Sequence, residues 1–193
     1  GNIKYGAMVF DGASLEVTNP SFTEINTTNV LAINGASPTL TGGTFTVGVD
    51  GESFQGAAIQ AYGAGAGLVV MQILNSQFTG AETDCGQQGG GRSAIYLEDS
   101  FVRMDQLSIS QNSYGAFLRS SSGYLTNSTI NTKCNAIDTN SHLVTSGNSY
   151  TFTITDNIIT TAEGAGITAY DEAIVVANRN TISGASEGSG FGI

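Results

Sequence analysis

The stretch GAGITAYDEAIVVANRNTISG, residues 164–184, alternates branched or small apolar residues with polar ones, then continues through Asn, a second short apolar patch and Gly. Apolar residues at every second position give an extended strand one inward face, whereas a helical stripe needs spacings of three and four. The same frame of three apolar patches and two turns recurs in GAMVFDGASLEVTNPSFT (residues 6–23), VLAINGASPTLTGGTFT (30–46), SAIYLEDSFVRMDQLSIS (93–110) and YGAFLRSSSGYLTNSTIN (114–131). Residues 57–80 and 135–160 fit it with small insertions at the first turn. The pattern predicts a unit of three short strands used seven times.

The first patch is anchored at Met8, Leu31, Ile59, Ile95, Ala116, Ile137 and Ile167, at spacings of 23, 28, 36, 21, 21 and 30 residues. The third is anchored at Phe22, Phe45, Phe78, Ile109, Ile130, Ile159 and Ile182. Asn stands three residues earlier at Asn19, Asn75 and Asn127, and Gly42 and Asp156 take that place in two more units. These residue types tolerate a left-handed backbone, so the column predicts a recurrent tight bend between the second and third strands. Asn178 stands four residues before Ile182, which predicts either a different bend in the last unit or a register displaced by one. No single unit of this kind buries its apolar face alone, so the units are expected to stack as coils of a parallel β-solenoid. The rival, an antiparallel sandwich, also has short strands, but calls for hairpin signals in place of a recurring three-patch frame.

Composition agrees with an all-β chain. There are 26 Gly, 22 Thr, 20 Ser and 15 Asn against 2 Lys and no Trp, a usage that favours strands and turns over helix surfaces. The 40% hydrophobic content argues against disorder. A net charge of −10 leaves nothing to neutralise a row of phosphates, which argues against nucleic-acid or anionic-membrane partners. No apolar run approaches the roughly 20 residues that span a bilayer, so no membrane insertion is expected. The chain opens on a coil start, YGAMVF, without a charged-then-apolar leader, and stops at GSGFGI, which looks like the first strand of another coil. Residues 1–193 are therefore expected to form one β-helix domain that is a segment of a longer solenoid, or whose ends another subunit covers.

With its three-strand coils and Asn column, nearly the whole chain resembles the right-handed parallel β-helix proteins of the pectin-lyase-like superfamily. That resemblance implies a single-stranded, right-handed parallel β-helix of about seven coils, often with an Asn ladder at the short second turn. A narrower segment, NSQFTGAETDCGQQGGGRSAIYL (residues 75–97), is similar to the repeats of chlamydial-type polymorphic outer-membrane proteins. It departs from them in having Arg92-Ser93 before Ala94 and in lacking the usual Asn after the Phe.

Placing Ile59, Ala61, Ile95, Leu97, Ile137 and Ile167 inside turns their neighbours outward. One outward column is expected to read Val9, Ala32, Gln60, Tyr96, Phe117, Asp138, Thr168, and the other Asp11, Asn34, Tyr62, Glu98, Arg119, Asn140, Tyr170. The candidate ligand-binding residues are Tyr62, Tyr96, Glu98, Phe117, Arg119, Asp138 and Tyr170, because aromatic faces beside carboxylates and a guanidinium suit the C–H faces and hydroxyls of a polysaccharide or other glycan. The competing expectation is a plain surface stack with an ordinary Glu98–Arg119 pair. Glu98, Asp138 and Arg119 are also the candidates for catalysis, since two carboxylates two coils apart approach the spacing of an inverting glycoside hydrolase. The paired-Asp, Gly-His-Gly and Arg-Ile-Lys strings that mark hydrolases and lyases of the resembled superfamily are missing from the sequence.

Other motifs add less. Cys85 and Cys134 have no partner at metal-ligand spacing and are expected to form a disulfide, while Asn26 and Asn127 begin glycosylation sequons; both features lean towards an extracellular or cell-surface setting. Glu98-Asp99 and Asp171-Glu172 read as solvated turn residues instead of calcium ligands. His142, the single histidine, lies in a polar turn, and the Gly-rich residues 86–92 lack the ending of a phosphate loop. No metal or cofactor is expected. Ice binding, which needs ranks of Thr repeating on one face, ranks third, because TLTGGTFT and TFTIT read as local runs that do not align across coils. The expected function is an adhesive or structural surface module that binds carbohydrate on its aromatic and charged strand face and associates end to end or laterally. The alternative is a polysaccharide hydrolase or lyase acting on the same face.

Overall fold

A computed structural model of the protein describes residues 5–23, 28–47, 57–63, 68–80, 85, 93–140 and 150–184. The first coil runs through strands Tyr5–Phe10, Ser14–Thr18 and Ser21–Phe22, and the second through Thr28–Ile33, Ser37–Thr41 and Thr44–Thr46. The third holds Ile59–Tyr62, Val69–Leu74 and Gln77–Thr79, and the fourth Ser93–Glu98, Ser100–Asp105 and Ser108–Asn112. Tyr114–Arg119, Ser122–Thr126 and Thr129–Thr132 form the fifth, and Ile137–Asn140, Thr151–Thr155 and Ile158–Thr161 the sixth. The seventh closes with Ile167–Tyr170, Ile174–Asn178 and Thr181–Gly184. Each strand pairs in parallel with its equivalent in the neighbouring coils, so the described residues build three seven-stranded parallel sheets. The solenoid is the one expected, and an antiparallel sandwich is excluded.

Two columns of left-handed residues turn the chain. At the second turn they are Asn19, Gly42, Asn75, Gln106, Asn127, Asp156 and Arg179, with φ between 48° and 68°. The last coil therefore bends like the others: Arg179, not Asn178, takes the left-handed position, at φ 52°. At the first turn, Asp11, Asn34, Asp99, Ser120 and Asp171 have φ between 45° and 53°. The polar corners are thus set by backbone geometry, and most are filled by residues for which that geometry is cheap.

The register of the first two coils corrects the expected anchors. Val30 pairs with Ile59, and Leu31 with Gln60, so Ala7 and Val30 point inward while Met8 and Leu31 belong to the outer face. Val9 and Ala32, expected outside, are buried in the core. Asp11 and Asn34 are turn residues, and the strand positions they were assigned are held by Phe10 and Ile33. The cause is visible in the sequence: AMVF and VLAI are apolar at every position, so alternation cannot tell one face from the other.

The third sheet lays down the spine of the core. Phe22, Phe45 and Phe78 stack with ring centroids 5.5 Å and 4.9 Å apart, and Ile109, Ile130, Ile159 and Ile182 continue the column. Opposite each inward residue, the outer face carries one exposed side chain per coil. Ser21, Thr44, Gln77, Ser108, Thr129, Ile158 and Thr181 stand in unbroken register. Three of the seven are Thr, but Thr44, Thr129 and Thr181 are separated by Gln, Ser and Ile, so this rank is not the repeating row of Thr that ice binding needs, and TFTIT (residues 151–155) belongs to the second sheet.

Polar ladders close both corners. The internal ladder of the second turn sits one residue after the Asn column. Asn157 Oδ1 accepts from Ser128 N at 2.8 Å, Asn180 Oδ1 from Asn157 N at 3.0 Å, Ser128 Oγ from Leu107 N at 3.0 Å and Ser76 Oγ from Gly43 N at 3.2 Å. At the first turn, Ser121 Oγ accepts from Ser100 N at 3.2 Å and donates to Arg119 O at 2.8 Å. Each side chain satisfies a backbone group that a corner would otherwise leave buried and unpaired.

Candidate functional site

The outer face of the first sheet carries the expected chemistry. Tyr96 pairs in register with Gln60 and Phe117, and Phe117 with Asp138; Glu98 pairs with Tyr62 and Arg119. The rings of Tyr62 and Tyr96 lie 5.7 Å apart at a tilt of 43°, and those of Tyr96 and Phe117 lie 5.7 Å apart and stacked. Tyr96 donates from its hydroxyl to Glu98 Oε2 at 3.1 Å, and Arg119 Nη1 stands 3.9 Å from the same oxygen. The Glu98–Arg119 contact is thus the loose surface pair of the competing expectation, a class of interaction worth little.

Burial changes what this face presents. Tyr96 is 3% exposed and Asp138 5%, so both point out of the solenoid without reaching solvent. Burial, with the charges of Tyr96 and Glu98 behind it, pushes the Tyr62 hydroxyl up to about 12. Burial also raises Tyr96, against the opposing influence of Arg119. Glu98 and Asp138 are offset by two residues as well as two coils, which sets their backbones about 12 Å apart. They also face different partners, since Asp138 accepts from Asn135 Nδ2 at 3.0 Å and from the Thr168 hydroxyl.

A second feature lies beside Asp138. A cavity of about 360 Å³ opens between the fifth and seventh coils, lined among others by Tyr114, Asn135, Glu163, Thr168 and Tyr170 and walled by Cys85 and Cys134. Those cysteines form the expected disulfide, with Cα atoms 5.5 Å apart, and Tyr114 donates to Cys85 O at 3.4 Å. Asn135 reaches from this wall to the Asp138 carboxylate, and its Oδ1 accepts from Ala165 N at 2.8 Å. Burial pushes the Asp138 carboxyl up to about 6, partly opposed by the hydrogen bond from Asn135. The cavity thus combines the rings of Tyr114 and Tyr170 with hydroxyl, amide and carboxylate groups. It has a buried carboxyl behind it that changes charge near neutral pH.

Of the expected ligand-binding residues, the structure brings Tyr62, Tyr96, Glu98, Phe117 and Arg119 into one stack, places Asp138 next to Phe117 in the same outward column, and sets Tyr170 apart in the lining of the cavity. Tyr170 is 51% exposed. Sequence reasoning missed Tyr114, Asn135 and Glu163, since Tyr114 begins a coil and the other two lie in connections where no strand alternation applies. The one signal near them was Cys134, the residue before Asn135. Asp99 and Asp171 occupy left-handed turn positions, as does Glu172 at φ 65°. Among the described residues, no group of three His, Cys, Asp or Glu side chains is placed to hold a metal ion, and no helix is long and apolar enough to cross a membrane. Asn127 is exposed at the second turn and donates to Asp105 Oδ1 at 2.9 Å. Asn26, His142 and residues 86–92 lie outside the described residues.

A family model for the right handed beta helix region matches residues 47–193. No curated protein and no solved structure matches the chain, so the likeness of residues 75–97 to outer-membrane repeats gains no support.

Proposed function

The chain belongs to the right-handed β-helix family, and from that premise we propose that it is an extracellular or cell-surface structural or adhesive module that binds a glycan in the cavity beside its disulfide. The observation that carries this is the pairing of Tyr114 and the exposed Tyr170 with Asn135, Thr168 and Glu163 around one cavity. Sugars present apolar C–H faces to aromatic rings and hydroxyls to amides and carboxylates. Glu163 and the net charge of −10 favour a neutral sugar over an acidic one. The disulfide supports an oxidising compartment. The stack of Tyr62, Tyr96 and Phe117 extends the same side of the solenoid and serves as its rigid flank.

A second reading rests on Asp138. A carboxyl held near 6 beside a cavity that Glu163 also lines has the properties of a general acid in polysaccharide cleavage. Incubation with neutral and acidic polysaccharides separates the two readings. Binding without chain cleavage is the expected outcome. Cleavage abolished by Asp138→Asn or Glu98→Gln shows an enzyme, and no binding to any member of the panel contradicts both.

A further inference from the structure

The cavity beside the disulfide offers a one-sided set of hydrogen-bonding groups. Four of the described side chains in its lining carry an N–H or O–H donor: Tyr114, Asn135, Thr168 and Tyr170. Three of these are engaged within the wall. Asn135 Nδ2 donates to both oxygens of Asp138, at 3.0 and 3.3 Å, the Thr168 hydroxyl donates to the same carboxylate, and Tyr114 donates to Cys85 O at 3.4 Å. The backbone N–H of Ala165 is taken by Asn135 Oδ1 at 2.8 Å, and that of Cys134 by Ser113 O at 2.8 Å. What remains for a ligand is mostly acceptor: the Glu163 carboxylate, with room for about four hydrogen bonds, and the oxygens and ring faces of the two tyrosines. We propose that the glycan bound here carries a free, protonated amine, which makes the ligand an amino sugar. The proposal rests on the glycan reading of this cavity and narrows its ligand class.

An ammonium group has three N–H donors and no acceptor, the complement of such a lining. It is also attracted to the face of an aromatic ring, and Tyr114 and Tyr170 supply two. An acetamido group or a sugar carboxylate brings acceptor oxygens instead, and these call for donors that the wall has already committed. Charge points the same way. Asp171 and Glu172 follow Tyr170 at the first turn, both exposed. The Asp138 carboxyl, held at about 6 by burial, adds a negative charge behind Asn135 and Thr168 at neutral pH. The cation beside the cavity is Lys133, which is not part of the lining and whose Nζ lies 3.8 Å from Glu163 Oε1. That is a loose contact on a carboxylate that is 53% exposed, so Glu163 keeps acceptor capacity for a second donor. A neutral sugar uses the rings and hydroxyls of the same cavity, and the amine adds an anchor to it.

Calorimetric titration of the full chain with three β-1,4-linked tetramers, of glucosamine, of N-acetylglucosamine and of glucose, tests the proposal. The glucosamine tetramer is expected to bind at least about tenfold more tightly than either of the others. Glu163→Gln, a change at an exposed side chain, is expected to bring the ratio of glucosamine to glucose affinities below about threefold. Glu16→Gln removes one acidic charge from the second sheet of the first coil, far along the solenoid, and is expected to leave that ratio unchanged. The proposal is overturned if the acetylated or the glucose tetramer binds as tightly as the glucosamine tetramer, or if the ratio survives Glu163→Gln. An equal fall in Glu16→Gln overturns it too, since the preference would then belong to the bulk charge. In each of these cases the glycan reading stands. Binding of none of the three tetramers contradicts the glycan reading itself, and the amine preference falls with it.

Discussion

At the scale of residues, single positions carry constraints that their neighbours do not. Gly123 lies in the middle of the second sheet at φ +147°, and a Cβ there would meet Val102 O at 1.9 Å. Gly123→Ala is therefore expected to lower the stability by roughly 2 to 4 kcal/mol, read as a fall in the denaturation midpoint. Asn157, 1% exposed, accepts from Ser128 N and donates to Leu125 O and Thr155 O. Asn157→Ala strands those groups in a dry corner and is expected to cost about 2 to 3 kcal/mol. Asp138 adds a pH dependence. Its folded carboxyl is held at about 6, above the usual carboxylate value, so the native state binds its proton more tightly than the unfolded chain. The resulting stabilisation is complete below about pH 4 and is lost as the pH rises through 6. Asp138→Asn is expected to raise the melting temperature above pH 7, by up to about 3 kcal/mol in stability, and to change little at pH 4. A melting profile with no such divergence contradicts the assigned burial. Arg179 marks what sequence hides at this scale. The bend was legible from Asn19, Asn75 and Asn127, yet its last member is an Arg that pairs with Asp156 through two hydrogen bonds of 2.7 Å.

Among elements, the strands and their order were legible because apolar alternation and turn residues repeat with the coil. Phe22, Phe45 and Phe78 were recognised as one column, and they stack. Register is not legible where both faces of a strand are apolar: the sequence pattern anchors the first patch at Met8 and Leu31, but Met8 is 46% exposed. The exposed rank of the third sheet is not legible because Ser, Thr, Gln and Ile alternate within it, so no motif repeats even though the positions do. The cavity was illegible for another reason, since three of its groups come from the start of a coil and from connections, where spacing carries no information. Cys85 and Cys134 were legible as a pair. Their bridge closes a loop of 49 residues and is expected to contribute about 2 to 4 kcal/mol. Because these cysteines wall the cavity, a Cys85→Ser/Cys134→Ser double variant is expected to lose glycan affinity while retaining its β circular dichroism spectrum. Unchanged affinity in that variant would show that the bridge plays no part in shaping the cavity.

For the whole molecule, the seven coils and three parallel sheets of the described residues divide the surface into faces of distinct chemistry. The first sheet carries aromatic and charged groups and ends at the cavity. The second carries Arg103 and the exposed Tyr124, packed edge-on against Phe101. The third carries an uncharged rank. Buried inward columns and polar corner ladders repeat from coil to coil, so each face inherits its rigidity from the stack. A ligand on the first side should therefore find its groups already in place, with little reorganisation on binding. The proposed site is tested most directly by measuring the affinity of a bound neutral oligosaccharide for the unaltered chain, for Tyr170→Ala and for Tyr62→Ala. The cavity account predicts that Tyr170→Ala weakens binding at least about tenfold, the loss of roughly 1.4 kcal/mol, while Tyr62→Ala leaves it unchanged. Loss of binding in Tyr62→Ala with full affinity in Tyr170→Ala would contradict the cavity and place the ligand on the aromatic stack.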